Sequence, residues 1–417
     1  MPFKGPIARG TIRASSVLGL RLLVQAGTLL LVTRLLGPRA YGAFAGLSAL
    51  AVILGTLSTF GLHLVLLGHM SRDPDHREYM LSRALPTTLA CGTLLLAVFL
   101  AICKMGLREA NVPLRVLFAL GIAETLLQPL LGLRTSELLA HGQVARSQLL
   151  TVLPLALRLT AAAGIMLLAP ADPLMSYGYG YLAASVTALI VATIAIPSPW
   201  PKPDQWRWPS MAEWREAAGY AALNMTATSP AELDKTLATE LLPLADSGVY
   251  AAGQRVIGAT TLPVIAMMLS ALPRLFREGQ ERPGRTAHLL RWIFAATTAY
   301  SLLLSCTLWV CAPAVAWLFG HRYAGIEHML HWLTLAIPGM TLRMASGGVL
   351  MALGKPWMRV AFEVTGLLAL FMASVALTAR LGTIGMPLAL AFSEWTMALI
   401  GVLMIMTLAR EIASSAT

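Results

Sequence analysis

Apolar residues in this chain neither alternate nor mark one helical face; they run on in blocks of about 20 residues, the length that spans a bilayer core. Short polar or proline- and glycine-rich stretches interrupt the blocks. In lipid such a block must be a helix, because only a helix closes its own backbone hydrogen bonds. The pattern predicts spans over 15–35, 40–67, 83–103, 113–139, 145–169, 174–196, 216–241, 247–273, 288–311, 326–352, 357–379 and 384–408, twelve in all and six in each half. The first run follows basic residues as a signal peptide would. It holds Arg21 and Gln25 and lacks a small-x-small cleavage site, so it reads as a retained span.

The halves resemble one another. Thr33-Arg-Leu-Leu-Gly-Pro-Arg-Ala-Tyr-Gly-Ala-Phe44 returns as Thr239-Glu-Leu-Leu-Pro-Leu-Ala-Asp-Ser-Gly-Val-Tyr250, with Leu35, Leu36, Gly42 and Phe44 falling on Leu241, Leu242, Gly248 and Tyr250 at a shift of 206 residues. The fourth and tenth spans carry a second match, Pro129 with Arg134 and Pro338 with Arg343, followed by the helix-ending glycines Gly142 and Gly354. Matched elements keep their order and their side of the membrane, which predicts a parallel repeat of two six-helix lobes, 1–196 and 215–417. Between them, 197–214 is rich in proline and carries Trp200, Trp206, Trp208 and Trp214, the residues of a linker lying at the cytoplasmic headgroup level.

Composition agrees and excludes a soluble domain: 57% of residues are apolar and 12% charged, with a mean hydropathy of +0.70. The net charge of +11 could suggest nucleic acid, but its placement decides otherwise. With the N-terminus cytoplasmic, 18 basic residues fall on that side and seven on the other, so the positive-inside rule places both termini in the cytoplasm. The excess records topology and attraction to anionic membrane lipid, and no nucleic-acid partner is expected. Cys91, Cys103, Cys306 and Cys311 have no ligand-like spacing. His328 and His331 share a helical face without a third ligand in view, and no metal site is expected.

Six basic residues fall inside spans: Arg21, Arg134, Arg158, Lys235, Arg255 and Arg343. A charge at the centre of a span costs roughly 2.5–3.5 kcal/mol on insertion scales, so these positions need a reason. Arg21, Gln25 and Thr28 form a polar stripe on the first span, and Glu124 and Gln128 precede Pro129 on the fourth. The seventh is the most polar, with Asn224, Thr228, Glu232, Lys235 and Thr239 at the helical period, Pro230 breaking the run and Asp234 beside it. Two readings stay open for each group, an internal ion pair or a cavity wall that handles substrate or ion. His63 reads as a packed residue, Arg359 and Glu363 as a local ion pair, and Glu394 lacks a visible partner.

Arg34-Leu-Leu-Gly-Pro-Arg-Ala-Tyr-Gly-Ala-Phe44, the Leu-Asp234-Lys235 followed by Asp246-Ser-Gly-Val-Tyr-Ala-Ala-Gly-Gln-Arg255, and Leu-Pro273-Arg274 resemble the polysaccharide-export flippases, which include the O-antigen and exopolysaccharide flippases of the multidrug/oligosaccharidyl-lipid/polysaccharide exporter superfamily. The resemblance implies a non-enzymatic transporter of the bacterial inner membrane, with about twelve transmembrane helices in a V-shaped pair of lobes around a central cavity. It implies translocation of a lipid-diphosphate-linked oligosaccharide by alternating access, with no cofactor, and a polysaccharide polymerase and glycosyltransferases as partners.

A diphosphate in a low-dielectric cavity needs cations, which makes Arg21, Gln25, Arg134, Arg255 and Arg343 the candidate substrate-binding residues on burial cost alone. Coupling to a proton or sodium gradient would fall to Glu124, Glu232, Asp234 and Lys235. The rival readings are a cation-coupled multidrug antiporter of the same superfamily, which should hold cavity acids where Arg21 stands, and a non-transporting scaffold of a polysaccharide-synthesis complex. A major-facilitator sugar transporter lacks support in the second loop, and a membrane glycosyltransferase or polymerase would need a catalytic acid constellation or a large outer loop.

Overall fold

The computed structural model describes residues 6–105, 112–259, 261, 263, 264, 267 and 283–414, and among these there is no β-strand. Packing divides the chain into unit 1 (Met1–Thr228) and unit 2 (Ser229–Thr417). Unit 1 contains α1 (Pro6–Ser58), α2 (Leu62–Arg72), α3 (Arg77–Met105), α4 (Leu114–Ile122), α5 (Gln128–Ala140), α6 (Val144–Leu168), α7 (Pro173–Ala195) and α8 (Met211–Thr228). Unit 2 contains α9 (Leu233–Leu241), α10 (Leu244–Ala259), α11 (Pro283–Phe319), α12 (Ile326–Leu333), α13 (Ala336–Ala352), α14 (Pro356–Leu381) and α15 (Gly385–Ser414).

Among the described residues, seven helical stretches are long and apolar enough to cross a membrane, and the pair α12 and α13, bent by 44°, makes an eighth. Two of the seven are double. Gly19–Ser58 and Pro356–Leu408 have 40 and 53 residues, and at 1.5 Å per residue even the shorter is about 60 Å long, twice the bilayer core. Each is broken near its middle, at Gly37 (φ 70, ψ 170) and at the short turn Gly382–Ile384. The chain is an all-α polytopic membrane protein, and the layout is consistent with twelve crossings.

The first hinge is tighter than the polar stretch suggests, since one glycine turns the chain and Pro38 already continues the helix. The second span ends early, at Ser58 instead of residue 67, where Phe60 (φ 47) and Gly61 (φ 79) turn the backbone. The cause is α8: a Cβ on Gly61 would lie 2.3 Å from the Ala217 carbonyl oxygen, and Trp214 meets Phe60 edge-on. His63 is packed, as expected, with Nδ1 2.7 Å from Thr59 Oγ1.

The fourth spans of the two units are both interrupted. Proline lacks an N–H, so each frees the carbonyl four residues earlier. In unit 1 the ladder widens into one π-turn, Ala123–Leu127, ahead of Pro129. Glycines on neighbouring helices let backbone come close there: a Cβ on Gly55 would lie 2.3 Å from Glu124 O, and one on Gly92 2.5 Å from Thr125 O. In unit 2 the helix bends, and the freed Thr334 carbonyl accepts from Ser305 Oγ at 3.1 Å while Leu335 O accepts from Trp395 Nε1 at 3.0 Å. Both spans then end alike, on left-handed Gly142 (φ 71) and Gly354 (φ 70). The residue after each glycine donates back to the carbonyl five residues earlier, Gln143 N to Leu138 O and Lys355 N to Leu350 O, both at 2.9 Å.

The segment 197–214 is fastened to unit 1. Arg77 donates to the carbonyls of Ser198 and Pro199 at 3.4 and 3.1 Å, Arg207 N to Ser82 O at 3.0 Å, and Gln205 to Glu78 at 2.8 Å. α8 follows it and packs on α1 and α2, so the packing division falls between Thr228 and Ser229, downstream of the linker. The expected seventh span, 216–241, is broken there by the turn Ser229–Ala231. The end of the eighth span and the Leu-Pro273-Arg274 motif lie outside the described residues.

Candidate functional site

Four charged groups are buried in helices, two in each unit. In unit 1 the π-turn carries Glu124 toward α6 and α7. Arg158 Nη2 of α6 lies 3.0 Å from Glu124 Oε1 and 3.1 Å from Ser185 Oγ of α7. The Tyr181 hydroxyl donates to the same carboxylate oxygen, and the guanidinium sits over the Tyr181 ring at 3.5 Å. Phe44, from the repeated hinge stretch, packs edge-on against Tyr177 and Tyr181 and closes the group off. A carboxylate and a guanidinium taken out of water need partners of this quality, because each alone would cost several kcal/mol.

The second group stands at the other end of the same span. Arg134, fully buried, donates to both Glu137 oxygens at 3.2 and 3.1 Å. Its guanidinium lies 3.8 Å from the centre of the Trp200 ring. Arg77 approaches Glu137 at 3.4 Å while holding the linker carbonyls. Arg134 is therefore the buried anchor of the linker, and no open surface remains for a ligand.

On α1, Arg21 and Gln25 are half-buried. Among the described residues the Arg21 Nε is buried without a hydrogen-bond partner. Thr28, the third member of the stripe, returns its hydroxyl to Val24 O at 2.7 Å.

In unit 2 the break at Ser229–Ala231 brings Glu232, Lys235 and Arg255 together. Lys235 Nζ lies 3.0 Å from Glu232 Oε2, and Arg255 Nη2 3.8 Å from the same oxygen. Lys235 also donates to Gln254 Oε1 at 3.3 Å and to the Ala231 carbonyl freed by the break. Asp234 faces away, accepting from the Tyr250 hydroxyl at 2.9 Å and from Lys235 N at 2.8 Å. Lys235 is 1% exposed, but the Arg255 side chain keeps 44% of its surface open.

The last group answers the question Glu394 raised in sequence. Arg343 Nε of α13 donates to Glu394 Oε2 of α15 at 2.6 Å, and Arg343 Nη1 lies 3.9 Å from Glu363 of α14. Arg359 binds Glu363 at 3.0 Å, the expected i, i+4 pair. Arg343 is thus closed in, as Arg134 is.

The structure brings together Glu232, Lys235 and Arg255 from the candidate residues, with Asp234 alongside and turned to Tyr250. It ties Glu124, Arg134 and Arg343 to partners of their own. Arg158, Tyr181 and Ser185 complete the Glu124 group; of these, sequence reading noted only Arg158, as an intramembrane charge. The pair lies 34 residues apart, and only the unusual depth of both charges could have suggested it. His328 accepts from Trp332 Nε1 at 3.2 Å, and His331 stacks on Trp309 with ring centres 4.4 Å apart.

The family model described as "Polysaccharide biosynthesis protein" matches residues 7–278. No curated protein matches the chain in sequence. Among solved structures, an inward-facing multidrug resistance MATE family transporter of the MOP superfamily superposes with a TM-score of 0.76 at 13% identity, covering 97% of this chain and 100% of that one. The lipid II flippase MurJ, in an inward closed conformation, gives 0.74 at 11% identity, covering 94% and 87%. A MOP superfamily transporter from Pyrococcus furiosus gives 0.66 at 14%, covering 97% and 93%. At these identities the likeness is one of fold.

Proposed function

The chain belongs to the polysaccharide biosynthesis protein family, and from that membership we propose that it is a flippase, not an enzyme, for a lipid-diphosphate-linked oligosaccharide. The cargo is an O-antigen or exopolysaccharide repeat unit, carried by alternating access across the bacterial cytoplasmic membrane with both chain termini inside. Glycosyltransferases supply the substrate and a polymerase consumes it.

The observation that carries this reading is the unequal treatment of the cations that fall within the spans. Arg134, Arg158 and Arg343 are locked by carboxylates. Arg255 keeps an open face beside Glu232 at 3.8 Å, and among the described residues no carboxylate pairs with half-buried Arg21. A guanidinium presented in that way is matched to a diphosphate, which it binds by short charge-assisted hydrogen bonds. Arg255 and Arg21, with Gln25 as neighbouring donor, are the substrate residues, while Arg134 and Arg343 hold the scaffold.

Glu232 then acts as an exchangeable counter-ion. When the diphosphate takes Arg255, the carboxylate loses one of its two cations and becomes the group that a proton or sodium ion joins, with Lys235 as its remaining partner. Asp234 and Glu124, held by Tyr250 and by Arg158 with Tyr181, contribute to coupling through those partners.

The test is translocation of a lipid-linked oligosaccharide in vesicles. Losing one charge-assisted contact costs about 1.5–3 kcal/mol, so Arg255→Ala and Arg21→Ala should each weaken transport about tenfold or more, with unfolding temperature unchanged. Unchanged flipping in both variants, or gradient-driven efflux of a cationic drug by the native protein without flipping, overturns the reading. Glu124→Gln, Glu232→Gln and Asp234→Asn are measured with the gradient intact and collapsed; transport insensitive to all three and to the gradient removes the coupling step.

A further inference from the structure

A polar recess lies in unit 2, apart from the charged groups above. The first turn of α10, one face of α12 and the Gly382–Ile384 turn that precedes α15 enclose a cavity of about 120 Å³. It stands at the start of α15, the end of the helix remote from the C-terminus. Positions 325, 328, 329 and 332 of the α12 region lie on one helical face, which brings His328 and Trp332 to the same wall. Asp246 and Thr383 complete the polar lining, and Val249, Met329 and Ile384 the apolar part.

The hydrogen-bonding capacities of these groups are complementary. Trp332 Nε1 donates to His328 Nε2 at 3.2 Å, so the neutral imidazole carries its proton on Nδ1 and offers a donor. Asp246 is an acceptor in the first turn of α10, where the helix dipole favours negative charge, and among the described residues no ion pair engages it. Thr383 supplies a hydroxyl that both donates and accepts, and Trp332 an aromatic surface. One wall can cover an apolar C–H face while the others bond hydroxyls around its edge. An anion would meet the Asp246 carboxylate, and among the described residues no three His, Cys, Asp or Glu lie together to hold a metal ion.

We propose that this cavity binds one neutral pyranose ring, stacked on Trp332 and hydrogen-bonded by Asp246, His328 and Thr383. The inference rests on the reading that the cargo is a glycan and adds a contact to its sugar part, separate from the diphosphate residues. Full-length protein in phosphatidylcholine nanodiscs is titrated with the methyl glycosides of glucose, galactose and N-acetylglucosamine, and with glucuronate, inorganic phosphate and zinc, followed by saturation-transfer NMR and calorimetry. At least one neutral glycoside should bind saturably in the millimolar range. Asp246→Asn should weaken it about 10- to 150-fold, which removes saturation altogether. Trp332→Phe should keep binding and Trp332→Ala lose it, while Thr383→Val, a small change at the turn, should weaken it with the native unfolding temperature.

No saturable glycoside binding, binding of zinc or phosphate instead, or native affinity in both Asp246→Asn and Thr383→Val overturns the inference. Its failure is distinguishable from failure of the proposed function. Vesicle flipping with no glycoside binding removes this site alone, and glycoside binding without flipping removes the transport reading alone.

Discussion

Replacing Arg343 by methionine strands Glu394. That carboxylate is fully buried, its bond to Arg343 Nε is 2.6 Å long, and its second oxygen has no hydrogen-bond partner among the described residues. Glu363 is less affected because Arg359 remains 3.0 Å away. Breaking a buried pair from one side costs about 3–5 kcal/mol, whereas replacing both partners by apolar groups of similar size is close to neutral. At roughly 2–4 °C per kcal/mol for a unit of this size, Arg343→Met should lower the unfolding temperature by about 6–20 °C. Arg343→Met/Glu394→Leu should recover most of that loss. The assay is thermal unfolding of the purified protein followed by tryptophan fluorescence, in which Trp395, beside Glu394 and bonded to Leu335 O, is a local reporter. Single variants that melt with the native protein yet fail to transport would refute the reasoning, because Arg343 would then be serving cargo instead of closing α13 on α15.

Three other outcomes follow from the packing. Gly55→Ala should destabilise unit 1 by about 1–3 kcal/mol, since its Cβ would lie 2.3 Å from the Glu124 carbonyl and backbone must move; a native melting curve would contradict it. Trp200→Ala removes the ring over Arg134, and a loss of about 2–3 kcal/mol should show as faster proteolysis within 197–214. Burial pushes the Glu213 carboxyl upward, but the Ser210 backbone N–H and hydroxyl and Arg83 at 3.5 Å outweigh it and hold the group below its ordinary range. Its stabilisation is therefore complete at neutral pH and is lost as pH falls through that lowered value. The stability difference between native and Glu213→Gln should shrink between about pH 7 and about pH 3.

Much of this architecture was legible because lipid leaves few choices. Long apolar runs must be helices, and a proline inside one must free a carbonyl, so most of the spans, the Gly142 and Gly354 terminations and the interruptions near Pro129 and Pro338 could be placed from sequence, while the early end of the second span at Ser58 could not. The charged groups were legible as positions and not as partners. Arg359 with Glu363 is local and was seen; Arg158 with Glu124 and Arg343 with Glu394, separated by 34 and 51 residues, were not. Arg134 shows the limit most plainly. Its matched place in the repeat suggested a shared role with Arg343, and both are structural, but one holds a linker and the other closes three helices.

The interrupted fourth spans also set how charges along them face their neighbours. One residue added in a π-turn shifts everything beyond it by about 100° relative to an unbroken helix. Glu124 lies within that turn and Arg134 beyond it, so a 3.6-residue period drawn through both assigns them a relation they do not have. Glu124 reaches Arg158 of α6, while Arg134 turns to Glu137 and Trp200. In unit 2 the bend at Thr334 and Leu335 separates α12 from α13, leaving the His328–Trp332 wall on one segment and Arg343 on the other. Proline duplicated with the repeat supplied the same defect twice, and the neighbouring helices answered it differently: glycines admit bare backbone at Glu124 and Thr125, whereas Ser305 and Trp395 donate to Thr334 and Leu335. Each half thereby acquired two independent faces along a single span, one free to be fixed by ion pairs without constraining what the other meets.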